Sequence, residues 1–320
     1  VMPTIGYHAS HEQHAPSDLV RCVVAAESAG FDAAMCSDHF APWSARQGHS
    51  GHAWAWLGAA MQATLLPFGL VTAPGQRYHP AVTAQAIATL AEMFPERLWV
   101  ALGSGENLNE HITGDRWPCK ELRDMRLDEC AEVIGRLLAG ETVTHRGLVR
   151  VDRASIWSLP ESRPPVFAAA VSPETARRVA SWAAGLITVS QPLPALRRTI
   201  EAFRDVAGPE RPVFIQAHLS WAPTTEEAVE VAYHQWRNGL VPPGPAWDLA
   251  LPDDFDEAVA GVDRDEIRSV VHVSPDLAQH VEWIGSLMSL EPAAIFLHHV
   301  GPDQERFIDV FGAEVLPRCR

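Results

Sequence analysis

Asp38 and His39 stand side by side where the apolar run Phe31–Met35 gives way to a loop. A histidine next to an acid suits proton transfer near neutral pH, because its unperturbed pKa lies there. Adjacency in the chain does not make this acid the orienter of this ring, so a structural hydrogen-bonding role competes with catalysis. Glu106 follows Gly103-Ser104-Gly105, where the backbone can turn tightly and approach a ligand. A carboxyl there suits charge or proton management at a cofactor; a helix-start or loop-bonding acid is the plainer reading. Gly-Ser-Gly is too short to count as a phosphate fingerprint. Trp43, a few residues beyond His39, can flank a planar ligand or simply pack the rim. His8, His11 and His14 recur at intervals of three, and His298-His299 adds another pair. There is no His-Glu-x-x-His motif, and consecutive histidines on a strand face opposite ways. Pocket hydrogen bonding is expected of them, with no metal.

Positioning these groups requires a scaffold, and short apolar runs recur along the chain. They are Thr4–His8, Phe31–Met35, Phe68–Thr72, Leu98–Leu102, Val166–Ala170, Leu186–Val189, Val213–Ala217 and Ile295–His298. None alternates strictly with polar residues, as expected of parallel strands covered on both faces. Helical patterns fit at about 17–28, 79–93, 120–137, 173–184, 193–205, 224–237 and 275–289, with Pro80, Pro173 and Pro302 near helix starts. An open doubly wound sheet would show a glycine fingerprint after the first strand, and GYHASHEQHAP lacks one. The pattern predicts an α/β fold, a (β/α)8 TIM barrel in a single domain over 1–320. A hairpin is expected at about 140–158 and a loop-rich insertion at about 238–263. A barrel gathers its chemistry at the C-terminal strand ends. Those ends carry His8 and Glu12, then Asp38, His39 and Trp43, then Thr72, then Ser104, Glu106 and Asn109, followed by Ser172, Gln191, His218 and His298.

The formal charge of −15 disfavours a phosphate-backbone binder, so no nucleic-acid partner is expected. No apolar run is long enough to span a bilayer, and the first residues carry neither a basic region nor an apolar signal core; a cytoplasmic protein without a membrane role is expected. The five cysteines are scattered without a Cys-x-x-Cys pair, which fits reduced thiols.

Several segments carry a resemblance. IGYHASHEQHAP at 5–16, SDHFAPW at 37–43, LVTAPGQRYHPAVTAQAIATL at 70–90, LGSGENLNEHITG at 102–114 and the closing LHHVGPDQERFIDVFGAEVLPR resemble the bacterial luciferase-like superfamily. Within it they resemble the branch of the deazaflavin-dependent glucose-6-phosphate dehydrogenases. The resemblance implies a homodimeric oxidoreductase using coenzyme F420 or FMN. It implies that His39 is the base on the substrate hydroxyl, with Trp43 stabilising the reacting state and Glu106 near the ring. Asp38, Leu70, Val71, Thr72, Ser104, Asn109, Ala170, Val171 and Ser172 would line the cofactor, and His8, Glu12, Gln191 and His218 the substrate. It also implies a non-prolyl cis bond, whose nearest equivalent here is Leu70–Val71.

Two departures qualify it. Gln191 and Val270 stand where that branch carries cations for a sugar phosphate, and neither replaces a charge-assisted bond. Glucose 6-phosphate is therefore not the expected substrate; a small alcohol or carbonyl compound is. Ala168-Ala169-Ala170-Val171-Ser172-Pro173 replaces the usual paired glycines after the fifth strand, which leaves F420 and FMN both open. An FMN-dependent monooxygenase is the nearest alternative, ahead of a metal-assisted hydrolase and a non-catalytic binding barrel.

Overall fold

The computed structural model describes residues 3–320. Its strands are β1 (Thr4–Ala9), β2 (Ala33–Ser37), β3 (Phe68–Thr72), β4 (Leu98–Leu102), β5 (Val143–Arg146), β6 (Arg150–Ala154), β7 (Val166–Ala169), β8 (Leu186–Val189), β9 (Val213–Ser220), β10 (His272–Val273) and β11 (Ala294–His299). Pairing in the order β9-β11-β1-β2-β3-β4-β7-β8, with β8 returning to β9, closes eight parallel strands into a barrel. The expected (β/α)8 class is the fold observed. β5 and β6 form a separate antiparallel hairpin, with a register irregularity between Val143 and His145.

The helices are α1 (Pro16–Ser28), α2 (Ala53–Ala63), α3 (Pro80–Met93), α4 (Asn107–Glu110), α5 (Lys120–Leu138), α6 (Pro173–Val179), α7 (Leu193–Ala207), α8 (Thr225–Trp236), α9 (Pro243–Ala246), α10 (Pro252–Ala258), α11 (Leu277–Met288) and α12 (Gln304–Glu314). Proline opens α1, α3 and α6, where a missing N–H costs nothing. α2 was not expected from the sequence, since its run of alanine and tryptophan shows little amphipathic contrast.

Side chains alternate along each strand between two cores. Ile5, Tyr7, Leu70, Val100 and Ile215 pack outwards under the helices. Ala33, Met35, Trp99, Phe167, Phe214 and Phe296 fill the closed end of the lumen. Two lumen glycines make this filling possible. A Cβ on Gly69 would lie 1.8 Å from Trp99 Cζ2, and one on Gly6 2.3 Å from Phe296 Cδ1.

The helix expected at 224–237 is observed as α8. In the structure it packs with the excursion that follows it. Its buried Ala228, Val229, Ala232 and Trp236 form a satellite cluster with Ile267 and Val271, apart from the main core. α11 supplies Ile284 and Leu287 to the main core instead. The segment between β9 and β10 is thus one continuous roof, and periodicity alone cannot distinguish a roof helix from a barrel helix. One expectation needs correction: the Leu70–Val71 bond is trans, as is every peptide bond among the described residues. β3 keeps unbroken parallel register with β2 and β4 through both residues, which needs no cis bond with its cost of about 2.5–4 kcal/mol.

Candidate active site

The open end of the lumen is lined from β1, β9 and β11. His8, His218 and His298 point inward there, as does Gln216 two residues before His218 on the same strand face. The rings of His8 and His298 stack at 4.3 Å, and His218 lies 5.1 Å from His298. Trp236 of the roof closes over them, 4.6 Å from His298 and 5.0 Å from His218. Burial depresses the basicity of all three: His8 to about 3, His218 to about 4, and His298 well below its ordinary value. At neutral pH this wall carries no charge. His299, by contrast, turns outward onto Phe307 at 4.8 Å, as strand alternation requires.

The stack is tied down by amides. Gln216 Nε2 lies 3.3 Å from His218 Nε2 and 3.4 Å from His298 Nδ1, and His298 Nε2 lies 2.9 Å from Gln13 Oε1. Both His8 nitrogens and Thr188 Oγ1 are buried without a partner. Such groups cost free energy unless a ligand completes them.

Beside this wall the loops after β1, β2 and β4 meet. His39 is buried, with Nε2 3.4 Å from Glu12 Oε1 and its ring 4.9 Å from Trp43. Ser10 Oγ donates to Glu12 Oε2 at 2.8 Å. Burial alone would raise the Glu12 carboxyl. The facing His39 and His8, its own N–H and Ser10 more than offset that, so it sits below the ordinary carboxylate value. Glu106 goes the other way. Burial raises it, and neither His39, Arg77 nor Asn109 fully compensates. Two neighbouring carboxyls are thereby pushed apart in acidity, the arrangement that separates acid from base roles. Asn109 bridges Glu106 and His39: its Nδ2 is 3.0 Å from Glu106 Oε2 and 3.2 Å from His39 Nδ1.

The remaining expected residues divide. Asp38 is not His39's orienter. It accepts from Thr72 Oγ1 at 2.9 Å and Tyr78 OH at 3.4 Å, and faces Arg77 at 3.4 Å. Asp38 and Thr72 are therefore bonded to each other in the rim. The Leu70 side chain packs under the helices and Ala170 joins the same core, so neither lines the lumen with its side chain. Val71 and Ala169 do face the lumen. Gln191 is spent on the Val171 carbonyl at 3.1 Å. Ser172 caps α6, accepting from the Thr175 N–H. Ser104 is half-buried beside Gly103.

Arg77 was missed by sequence reasoning. It lies almost wholly buried between Asp38 and Glu110, with its backbone N–H 2.6 Å from Glu110 Oε2. Only its place in the glycine-containing loop TAPGQRYHP hinted at a latch. Gln216 and Trp236 were missed as well; the period of two ending at His218 was the available signal for Gln216.

Small and apolar residues face one side of the lumen, a surface that fits a flat ring. Val71, Gly103 and Ala169 leave one side of the lumen low, and a Cβ on Gly103 would meet nothing nearer than 3.8 Å. The unpartnered polar atoms and the Glu106 carboxyl supply donors and acceptors around it. No group of three histidine, cysteine or acidic side chains is arranged to hold a metal among the described residues. Among the described residues no helix is long and apolar enough to cross a membrane.

The family model described as luciferase-like monooxygenase matches residues 2–286. An F420-dependent glucose-6-phosphate dehydrogenase of Nakamurella multipartita is 35% identical, covering 98% of this chain and 96% of its own length. One from Mycobacterium tuberculosis is 32% identical over 99% and 98%. Among solved structures, an F420-dependent secondary alcohol dehydrogenase in complex with an F420-acetone adduct superposes with a TM-score of 0.92 at 30% identity, covering 100% of both chains.

Proposed function

Because the chain belongs to the luciferase-like monooxygenase family, we propose that it transfers hydride between a small neutral alcohol, or its carbonyl partner, and the cofactor. It is an enzyme of the F420- and FMN-dependent oxidoreductases and binds a deazaflavin or flavin in the barrel pocket. That ring, when bound, supplies the two-electron redox centre. Val71, Gly103 and Ala169 would receive its face and Glu106 its polar edge. His39 and Glu12 handle the hydroxyl proton, and Trp43 and Trp236 exclude water from the reacting oxygen.

The absence of glucose 6-phosphate expected from the sequence does not find support in the curated relatives, whose names point towards that substrate. The observation that carries a neutral substrate is the chemistry of the wall. His8, His218 and His298 are held uncharged by burial. Gln191 is engaged with Val171, and Val270 packs against the roof cluster. The chain's single lysine, Lys120, pairs with Asp124 at 2.6 Å. The structural neighbour with the acetone adduct supports the same reading. The test is anaerobic cofactor reduction with secondary alcohols against glucose 6-phosphate, after titration with F420 and FMN. A preference for the alcohol by about tenfold or more is expected, since each missing charge-assisted bond is worth that much. The reverse preference overturns the neutral substrate, and substrate-dependent oxygen consumption with FMN would move the enzyme to the monooxygenases.

The partner proposed is a second copy of this chain, meeting it across α2 and α3. These helices pack together, Gly58 beside Leu90, and expose Ala55, Ala59, Gln62, Val82, Gln85, Thr89 and Met93. α2 has no charged residue and α3 only Glu92, on a chain of formal charge −15. Two copies meeting there avoid the repulsion that other faces impose. Light scattering should give a dimer for the native chain and a monomer for Val82→Glu/Met93→Glu; a monomeric native chain rejects the interface.

A further inference from the structure

The orientation of the Asn109 amide is fixed by its surroundings. Its Oδ1 accepts from the backbone N–H of Phe40 at 2.8 Å and of Ala41 at 3.4 Å. Only an oxygen can accept from those donors, so Nδ2 must face the other way. There it meets Glu106 Oε2 at 3.0 Å and His39 Nδ1 at 3.2 Å. Both of its hydrogens are thereby assigned. His39 Nδ1 faces an N–H donor, so it must present a lone pair, and the ring proton resides on Nε2. That nitrogen faces Glu12 Oε1 at 3.4 Å.

A histidine acting as base through Nε2 needs a proton on Nδ1 before the step, and keeps one there as imidazolium afterwards. The Asn109 amide opposes both forms, because each sets N–H against N–H. Rotating the amide would leave the Phe40 and Ala41 donors facing another donor.

We propose that Asn109 is a positioning residue that holds neutral His39 as its Nε2–H tautomer, which leaves the Glu12 carboxylate as the proton acceptor of the pair. The inference rests on the hydride-transfer reading above. In oxidation of an alcohol, the C–H pair leaves as hydride to the deazaflavin or flavin. The O–H bond breaks, its electron pair becomes the second carbonyl bond, and its proton adds to Glu12. His39 donates its Nε2–H to the oxygen as negative charge develops there. Reduction runs these transfers backwards. Ser10, which donates to the other Glu12 oxygen, keeps the acceptor oriented.

The tautomer can be read without turnover. Long-range proton–nitrogen spectra of protein carrying isotope-labelled histidine, with and without cofactor, are compared with those of His39→Gln to assign the ring. The expected pattern is a neutral ring protonated on Nε2. In Asn109→Asp, where a carboxylate oxygen replaces the donor, the ring should shift to a form protonated on Nδ1. An Nδ1–H ring in the native protein overturns the proposal even if the variant fails to fold. An unchanged Nε2–H ring in a folded Asn109→Asp overturns the role of Asn109. Turnover then separates the partners. Glu12→Gln should lose about 10²–10⁴-fold in the chemical step, the usual worth of a proton acceptor. His39→Gln, which keeps a donor N–H at that place, should lose less, and the opposite ranking rejects Glu12 as acceptor. If no alcohol is oxidised but the spectra behave as expected, the substrate reading fails and the tautomer assignment stands.

Discussion

Arg77→Met is expected to destabilise the protein by about 3–5 kcal/mol, the cost of removing one partner from a buried ion pair. The guanidinium side chain is 7% exposed and lies 3.4 Å from Asp38 and 3.5 Å from Glu110, which are 0% and 2% exposed. Without it both carboxylates are left in a medium that solvates them poorly. Glu110, already raised by burial against the pull of Arg77, should take up a proton. Asp38 would retain Thr72 and Tyr78 as donors, so the loss concentrates at Glu110. The same side chain donates to the Asp38 carbonyl at 2.9 Å, which directly precedes His39. Urea unfolding should therefore show a lower midpoint, partly restored in Arg77→Met/Glu110→Gln. A loss below about 1 kcal/mol, the range of surface pairs, would mean that the latch is not functionally buried.

His39→Ala should slow the chemical step by about 10²–10³-fold, the range for losing a positioned donor to developing negative charge. The ring contacts Glu12, Asn109 and Trp43, while the low wall of Val71, Gly103 and Ala169 stands on other strands. Cofactor affinity should therefore change far less than the rate. Anaerobic single-turnover measurements, with the cofactor titrated separately, distinguish the two effects. Undiminished single-turnover rate would remove His39 from the reaction; equal losses in affinity and rate would make it a structural residue of the pocket.

Much of the barrel was legible because its strands are buried on both faces. Phe68–Thr72, Leu98–Leu102 and Leu186–Val189 are the observed elements, since an apolar run bounded by turn residues has little freedom in its limits. α8 was legible as a helix at 224–237, but not what it covers. Its apolar stripe reports that it covers something, and does not say whether that is barrel or mouth. At the site, the types and spacing in SDHFAPW and GENLNE brought out His39, Trp43, Glu106 and Asn109 together. Their wiring was hidden. Adjacency could not say which groups meet His39; the partners are Glu12 and Asn109, far apart in the chain. Arg77 escaped notice because a cation between two remote acids leaves no local pattern.

The roof has a further consequence. It leaves the barrel after Ser220 and returns at His272, and there the two ends are strand neighbours, His272 beside Leu219 and Val273 beside Ser220. An excursion that starts and finishes at one hydrogen-bonded rung is a cassette. Its interior can be lengthened, shortened or exchanged without shifting the register of the staves beneath it. Trp236 travels with that cassette, whereas Glu12, His39, Asn109 and Glu106 do not. Descent with modification, or a designer at the bench, can thus refit the chamber for new guests while the proton-handling hardware stays in place.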